Sequence, residues 1–250
     1  MKRAGRALWR IARCSVLALA GAAICAFVFP FLGASARRAH VQAWSLRMLE
    51  AMGIGLAVEG GMAVAPRLVL SNHVSWLDIL AIDAVQPVRF VSKADIRRWP
   101  LLGFMVAAGG TLFIEREKKR DALRVVHQVA AALRDGDTVA LFPEGTTGAG
   151  PQLLPFHANL LQAAVTTGTP VQPMALRYAD AAARFSPAVE FIGATSLVES
   201  VWRVATADAL VVHVSVLPAL AAAGTDRRAL AEAARKAIQA ALDQAPGAGG

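Results

Sequence analysis

Residues 14–36, CSVLALAGAAICAFVFPFLGASA, carry no charge. About 20 such residues suffice for a helix to cross the apolar core of a bilayer. Lys2, Arg3, Arg6, Arg10 and Arg13 precede the run, and Arg37 and Arg38 follow it. A cleaved signal peptide has the same three parts, a basic flank, an apolar stretch and small residues (here Ala-Ser-Ala). Its apolar part is shorter, however, at about 7–15 residues. If the run spans, the excess of basic residues before it holds the N-terminus in the cytoplasm and exports the remainder. A helix broken near Pro30 that turns back avoids this. Residues 37–53, RRAHVQAWSLRMLEAMG, set Val41, Trp44, Leu46, Met48 and Leu49 among Arg, His and Glu, a plausible interfacial helix. Residues 1–52 are therefore expected to form a monotopic two-helix anchor.

The remainder belongs to a different class. After residue 35 no charge-free apolar run reaches bilayer length, which argues against a polytopic membrane protein. With 250 residues, 56% hydrophobic, the chain is long enough for one substantial domain and far too apolar to be disordered. The mean hydropathy of +0.46 favours contact with lipid. The formal charge of +8 suits an anionic membrane, acidic substrates or nucleic acid. Its grouping around the apolar run favours the membrane, and one Tyr and five Trp offer little for stacking bases. No nucleic-acid partner is expected. Cys14 and Cys25 make neither a disulfide framework nor a zinc spacing.

From about residue 53 strands and helices alternate. Strands are predicted at 67–71, 88–92, 111–115, 138–142, 170–176, 188–192 and 210–217. Helices are predicted at 75–85, capped by Ser75 or Asn72, at 118–134, at 156–167 and at 225–242. In 118–134 the apolar face is Leu123, Val126, Val129, Ala130 and Leu133. The alternation predicts an α/β sandwich, a mixed and mostly buried central sheet flanked by helices, over residues 53–244. Residues 245–250 read as a flexible tail.

Four clusters carry chemistry. In SNHVSWLDIL (71–80), His73 and Asp78 are five apart, which on one helix would put them on different faces. His73 therefore belongs in the turn before the helix and Asp78 in its first turn, reaching back to the imidazole. A carboxylate on one ring nitrogen fixes the tautomer and leaves the other nitrogen to take a proton from an alcohol. GGTLFIER (109–116) ends in Arg116, placed to make forked hydrogen bonds to a phosphate. LFPEGTTGAG (141–150) carries Glu144 at a strand end, where α/β sheets collect ligands, and Gly145, which permits positive φ. PVQPMAL (170–176) is a strand lining a pocket or simply core. Read singly, the first three also fit a helix cap, a surface ion pair and an ordinary loop.

Taken in order, the blocks NHVSWLD, KADIRRWPLLG (93–103), FIER, FPEGTT and VQPMA closely resemble the glycerolipid acyltransferase family, which includes bacterial 1-acylglycerol-3-phosphate acyltransferases. The resemblance covers roughly residues 60–180. It implies His73 as general base and Asp78 as its orienting partner. Arg116 would bind the acceptor's phosphate. Glu144, Gly145 and Thr146 would organise the acceptor end, and Lys93 would assist with phosphate or donor. It implies no metal and no bound cofactor. The acyl donor would be acyl-CoA or acyl-carrier protein, and the acceptor a lysophospholipid, with 1-acylglycerol-3-phosphate the first candidate. The expected location is the cell inner membrane, with the catalytic domain on the cytoplasmic side.

Two positions depart from the family pattern. Thr147 stands where many members have Arg, and His157 where a lysine is familiar. Both changes remove or alter positive charge near the headgroup and keep lyso-ornithine lipid open as acceptor. A non-catalytic protein binding anionic lipid would need only the basic anchor, not a base–carboxylate pair. A hydrolase lacks its usual marks, since neither GxSxG nor HExxH occurs.

Overall fold

Short apolar runs, LVL at 68–70 and VAL at 139–141, build strands at the centre of the molecule, as expected where both faces of a sheet are covered. The computed structural model describes residues 2–62, 66–114 and 119–244. Its elements are α1 (Lys2–Phe27), α2 (Ala34–Met52), β1 (Ile54–Glu59), β2 (Leu68–Ser71), α3 (Leu77–Val85), β3 (Arg89–Lys93), α4 (Leu102–Ala108) and β4 (Leu112–Ile114). They continue with α5 (Lys119–Arg134), β5 (Val139–Leu141), α6 (Gln162–Thr167), β6 (Val171–Ala179), α7 (Leu197–Thr206), β7 (Leu210–Val216) and α8 (Arg227–Gln244).

The strands form one sheet in the order β1-β7-β6-β2-β5-β3-β4. β4, β3, β5, β2 and β6 run parallel, while β7 is antiparallel to β6 and carries β1 parallel to itself. Five strand C-termini therefore share one edge, the place where such sheets collect ligands. The mixed α/β sandwich expected from the alternation is what the chain forms. Along β2 the pleat sends Val69 into the core under α2, α3 and α7, and Leu68 and Leu70 into the core under α5, α6 and α8.

α1 lies outside this sandwich, packed along α2, α7 and α4. A 3-10 turn, Phe29–Phe31, reverses the chain between α1 and α2, with Pro30 inside it. Arg3 and Arg6 pair with Asp208, Arg10 donates to the carbonyls of Ala205 and Ala207 at the end of α7, and Trp44 Nε1 donates to Leu17 O at 2.9 Å. Gly21 is needed there, because a Cβ would lie 2.6 Å from Trp44 Nε1 and 2.8 Å from Met105 Cε. The opposite side of α1 exposes Trp9, Val16, Leu19 and Phe27. The helix spans roughly 39 Å and is fastened to the domain through much of that length.

Several local expectations are corrected. Neither Ser75 nor Asn72 caps α3: the N-cap is Trp76 without a side-chain bond, and Ser75 buries its hydroxyl with no partner among the described residues. Residues 188–192 are not a strand, because Pro187 opens a 3-10 turn (Pro187–Val189) whose Ala188 N–H is taken by Ser186 Oγ. The buried stripe of α5 keeps Val129, Ala130 and Leu133 of the expected face and adds Val125 and Ala132, with Val126 half-buried and Leu123 exposed. β1, α4 and α7 are elements that the sequence pattern does not announce.

Candidate active site

The site is assembled where β2 and β5 end. Beyond Ser71 the chain leaves the sheet, and Asn72 locks the departure. Its side-chain amide donates to Leu176 O at 2.9 Å and accepts Leu176 N–H at 2.8 Å, so the loop is bound to β6 at both amide atoms. His73 follows, and α3 begins at Leu77 with Asp78 in its first turn. His73 Nδ1 and Asp78 Oδ2 are 2.8 Å apart. The same carboxylate oxygen accepts the N–H groups of Val74 at 2.7 Å and Ser75 at 2.9 Å, which wraps the loop around it. Tyr178 OH donates to the other oxygen, Oδ1, at 2.8 Å. Asp78 is fully buried, so these donors replace the water that a carboxylate would otherwise hold. Burial, then the Asp78 charge, hold the Tyr178 phenol protonated well above its ordinary range.

The loop after β5 clasps His73 from the other side. Phe142 stacks on the imidazole with centroids 4.0 Å apart and planes 12° from parallel. Glu144 Oε1 accepts His73 N–H and Oε2 accepts Leu154 N–H, both at 2.8 Å, while Gly148 N–H donates to His73 O at 2.7 Å. Gly145 adopts φ +74°, the left-handed conformation that lets the loop close under Glu144. Burial pushes the Glu144 carboxyl upward in pKa, and the N–H groups of Leu154 and His73 oppose that. With Nδ1–H directed at Asp78, Nε2 is the acceptor nitrogen. It has no hydrogen-bond partner among the described residues, and one-fifth of the His73 side chain is open to solvent. The arrangement is a fixed, partly open imidazole able to accept a proton.

Residues 57–177 match the acyltransferase family model. The chain is 36% identical over 199 residues to a lyso-ornithine lipid O-acyltransferase of Pseudomonas aeruginosa, covering 80% of this chain and 76% of that one. It belongs to the acyltransferase family. The acyltransferase is also 39% identical over 198 residues to a 1-acyl-sn-glycerol-3-phosphate acyltransferase of Neisseria meningitidis, covering 77% of this chain and 76% of the relative. A crystal structure of the Thermotoga maritima 1-acyl-sn-glycerophosphate acyltransferase, PlsC, matches its fold with a TM-score of 0.69, covering 94% of this chain and 97% of that one at 18% identity.

Two further expected site residues of the acyltransferase lie in segments that leave the same edge. Lys93 ends β3 and is exposed, and Thr146 is exposed in the loop after Glu144. Arg116 lies outside the described residues. Thr147 donates to Phe191 O and so faces the protein, and His157 is exposed beyond the same loop. Sequence reasoning missed Tyr178 and Phe142. Phe142 opens the FPEGTT block, but Tyr178 is 100 positions from Asp78 and only the β2–β6 pairing brings it near. Its one sequence signal is that it is the sole tyrosine.

Proposed function

We propose that the enzyme transfers an acyl group from acyl-CoA or acyl-carrier protein to the free hydroxyl of a lysophospholipid, with 1-acylglycerol-3-phosphate as acceptor and phosphatidic acid as product. The observation that carries this reading is the His73–Asp78 pair, 2.8 Å apart, with Nε2 left open at the ligand-collecting edge. In the reaction His73 Nε2 takes the hydroxyl proton as the acceptor oxygen attacks the thioester carbonyl. The C–S bond then breaks, and the imidazolium returns the proton to the departing thiolate. Asp78 holds the tautomer and faces the charge that forms on the ring. Glu144, with both oxygens on backbone N–H groups, fixes the loops on either side of the acceptor end. In this reading Lys93, Thr146 and Arg116 contact the headgroup or donor. Lyso-ornithine lipid is a second acceptor reading, supported by the Pseudomonas aeruginosa relative and by Thr147 and His157.

The enzyme works in this reading at the inner membrane from the cytoplasmic side, held by α1 and α2 without crossing. Three of the five basic residues before the apolar run, Arg3, Arg6 and Arg10, bind the α7–β7 connection. These contacts support a helix fastened sideways to the catalytic domain with both ends on that domain's side, which in this reading avoids the positive-inside conflict.

The test supplies labelled acyl-CoA and a panel of lysolipids to the purified enzyme and identifies products by mass. His73→Ala should remain folded and membrane-bound and lose about 10²–10⁴-fold in kcat, the range for a removed general base. Near-normal turnover in that variant would refute the mechanism.

A further inference from the structure

We propose that residues 97–104, between β3 and the body of α4, form a second membrane-contact element, a lip that seats the active-site edge on a bilayer containing anionic lipid. The inference rests on reading the protein as an enzyme that works at a lipid surface.

The segment leaves the C-terminal end of β3, the edge at which His73 sits. It runs through a 3-10 helix, Ala94–Arg98, and then doubles back into α4. Gly103 makes the reversal possible, because a Cβ there would collide with the carbonyls of Arg97 and Ile96. The turn pushes out four large apolar side chains in close succession: Trp99 is 44% exposed, Leu101 41%, Leu102 40% and Phe104 48%. Isolated apolar side chains on a surface need no explanation, but a contiguous group at the tip of a turn does.

Two observations choose lipid as the occupant. Arg97 and Arg98 immediately precede the apolar group, and a Trp-centred apolar tip with basic residues behind it is the pattern of interfacial elements, with cations at anionic headgroups and the ring below them. α4 also packs against α1, with Met105 beside Gly21, so the lip adjoins the helix whose outer side exposes Trp9, Val16 and Leu19. The lip and the anchor helix are thus neighbours on the molecule.

The test uses the full chain with Cys14→Ala and Cys25→Ala, bearing an environment-sensitive fluorophore at Leu102→Cys or, as a control, at Ala233→Cys on α8. Vesicles of phosphatidylcholine with phosphatidylglycerol should shift the Leu102→Cys emission to the blue, and brominated acyl chains should quench it. Pure phosphatidylcholine should give a weaker response, and the α8 probe should give none. In parallel, Trp99→Ser with Phe104→Ser should raise the KM for vesicle-borne lysolipid about tenfold, as loss of some 1.4 kcal/mol of binding would. The kcat on a dispersed short-chain acceptor should stay the same. A water-like probe on vesicle-bound protein would overturn the proposal. So would a probe that responds to acidic acyl-carrier protein but not to vesicles, which would mark a protein-docking surface. Absence of acyl transfer to the dispersed acceptor by the unmodified enzyme would defeat the functional reading and leave the probe result standing.

Discussion

Four donors converge on the Asp78 carboxylate: the His73 ring, two backbone N–H groups and the Tyr178 hydroxyl. Three come from the loop that Asp78 itself organises. The fourth comes from β6 and is the one that reports whether the sheet is in place. Tyr178→Phe removes a single oxygen and leaves one buried lone-pair direction unsatisfied, at a cost of about 1–3 kcal/mol. Part of that cost falls on the orientation of the imidazole. The expected result is a kcat lowered about tenfold with the KM for lysolipid unchanged, measured by steady-state kinetics. A raised KM with kcat retained would mean that Tyr178 shapes the acceptor pocket instead of steadying the His73 imidazole.

At the scale of elements, the end of α3 holds a buried acid apart from the active-site loops. Asp83 lies in the last turns of α3, accepts Val88 N–H at 3.1 Å, and is pushed by burial from 3.8 to about 7. An unfolded chain ionises this carboxyl near pH 4, so between about pH 4 and 7 the folded state holds a proton that the unfolded state has released. Stability from this group is thus greatest at low pH and falls as pH rises through 7, by on the order of 2–4 kcal/mol. Asp83→Asn keeps the acceptor for Val88 and removes the titration. The variant should be more stable than the parent at pH 8, with the difference shrinking toward pH 5 in urea unfolding. A constant difference across that range would exclude Asp83 as the source.

For the molecule as a whole, the question is how a strongly apolar helix is joined to a domain with its own core. Arg10 is the clearest link. Its guanidinium donates at 3.0 and 2.8 Å to two carbonyls at the end of α7 and passes over Gly53, where φ is +74° and any Cβ would strike it. A cation at a helix C-terminus is also favoured by the helix dipole. Arg10→Ala should loosen the N-terminal half of α1 by about 1–3 kcal/mol while the sheet stays intact. Hydrogen exchange should quicken in residues 3–13 and remain slow in β2 and β6. Unchanged exchange in α1 would show that its other contacts hold it without Arg10.

What could be read in the chain itself was whatever depends on neighbours in sequence. The spacing of His73 and Asp78 dictates a turn followed by a helix start, and that is how they lie. Apolar runs between turn residues locate β2, β5 and β6, and the break at Pro30 locates the reversal between α1 and α2. What depends on partners distant in the chain could not be read there. The capping expectation at Asn72 failed because that side chain is claimed by Leu176, over 100 positions away. The 188–192 segment has strand-like residues but closes into a turn that Pro187 opens and Ser186 caps. Tyr178 reaches Asp78 only because β6 pairs with β2. Local composition sets which residues are able to do the chemistry; the pairing of distant strands sets which of them meet, because burial removes water and leaves each polar group only the partners that packing supplies.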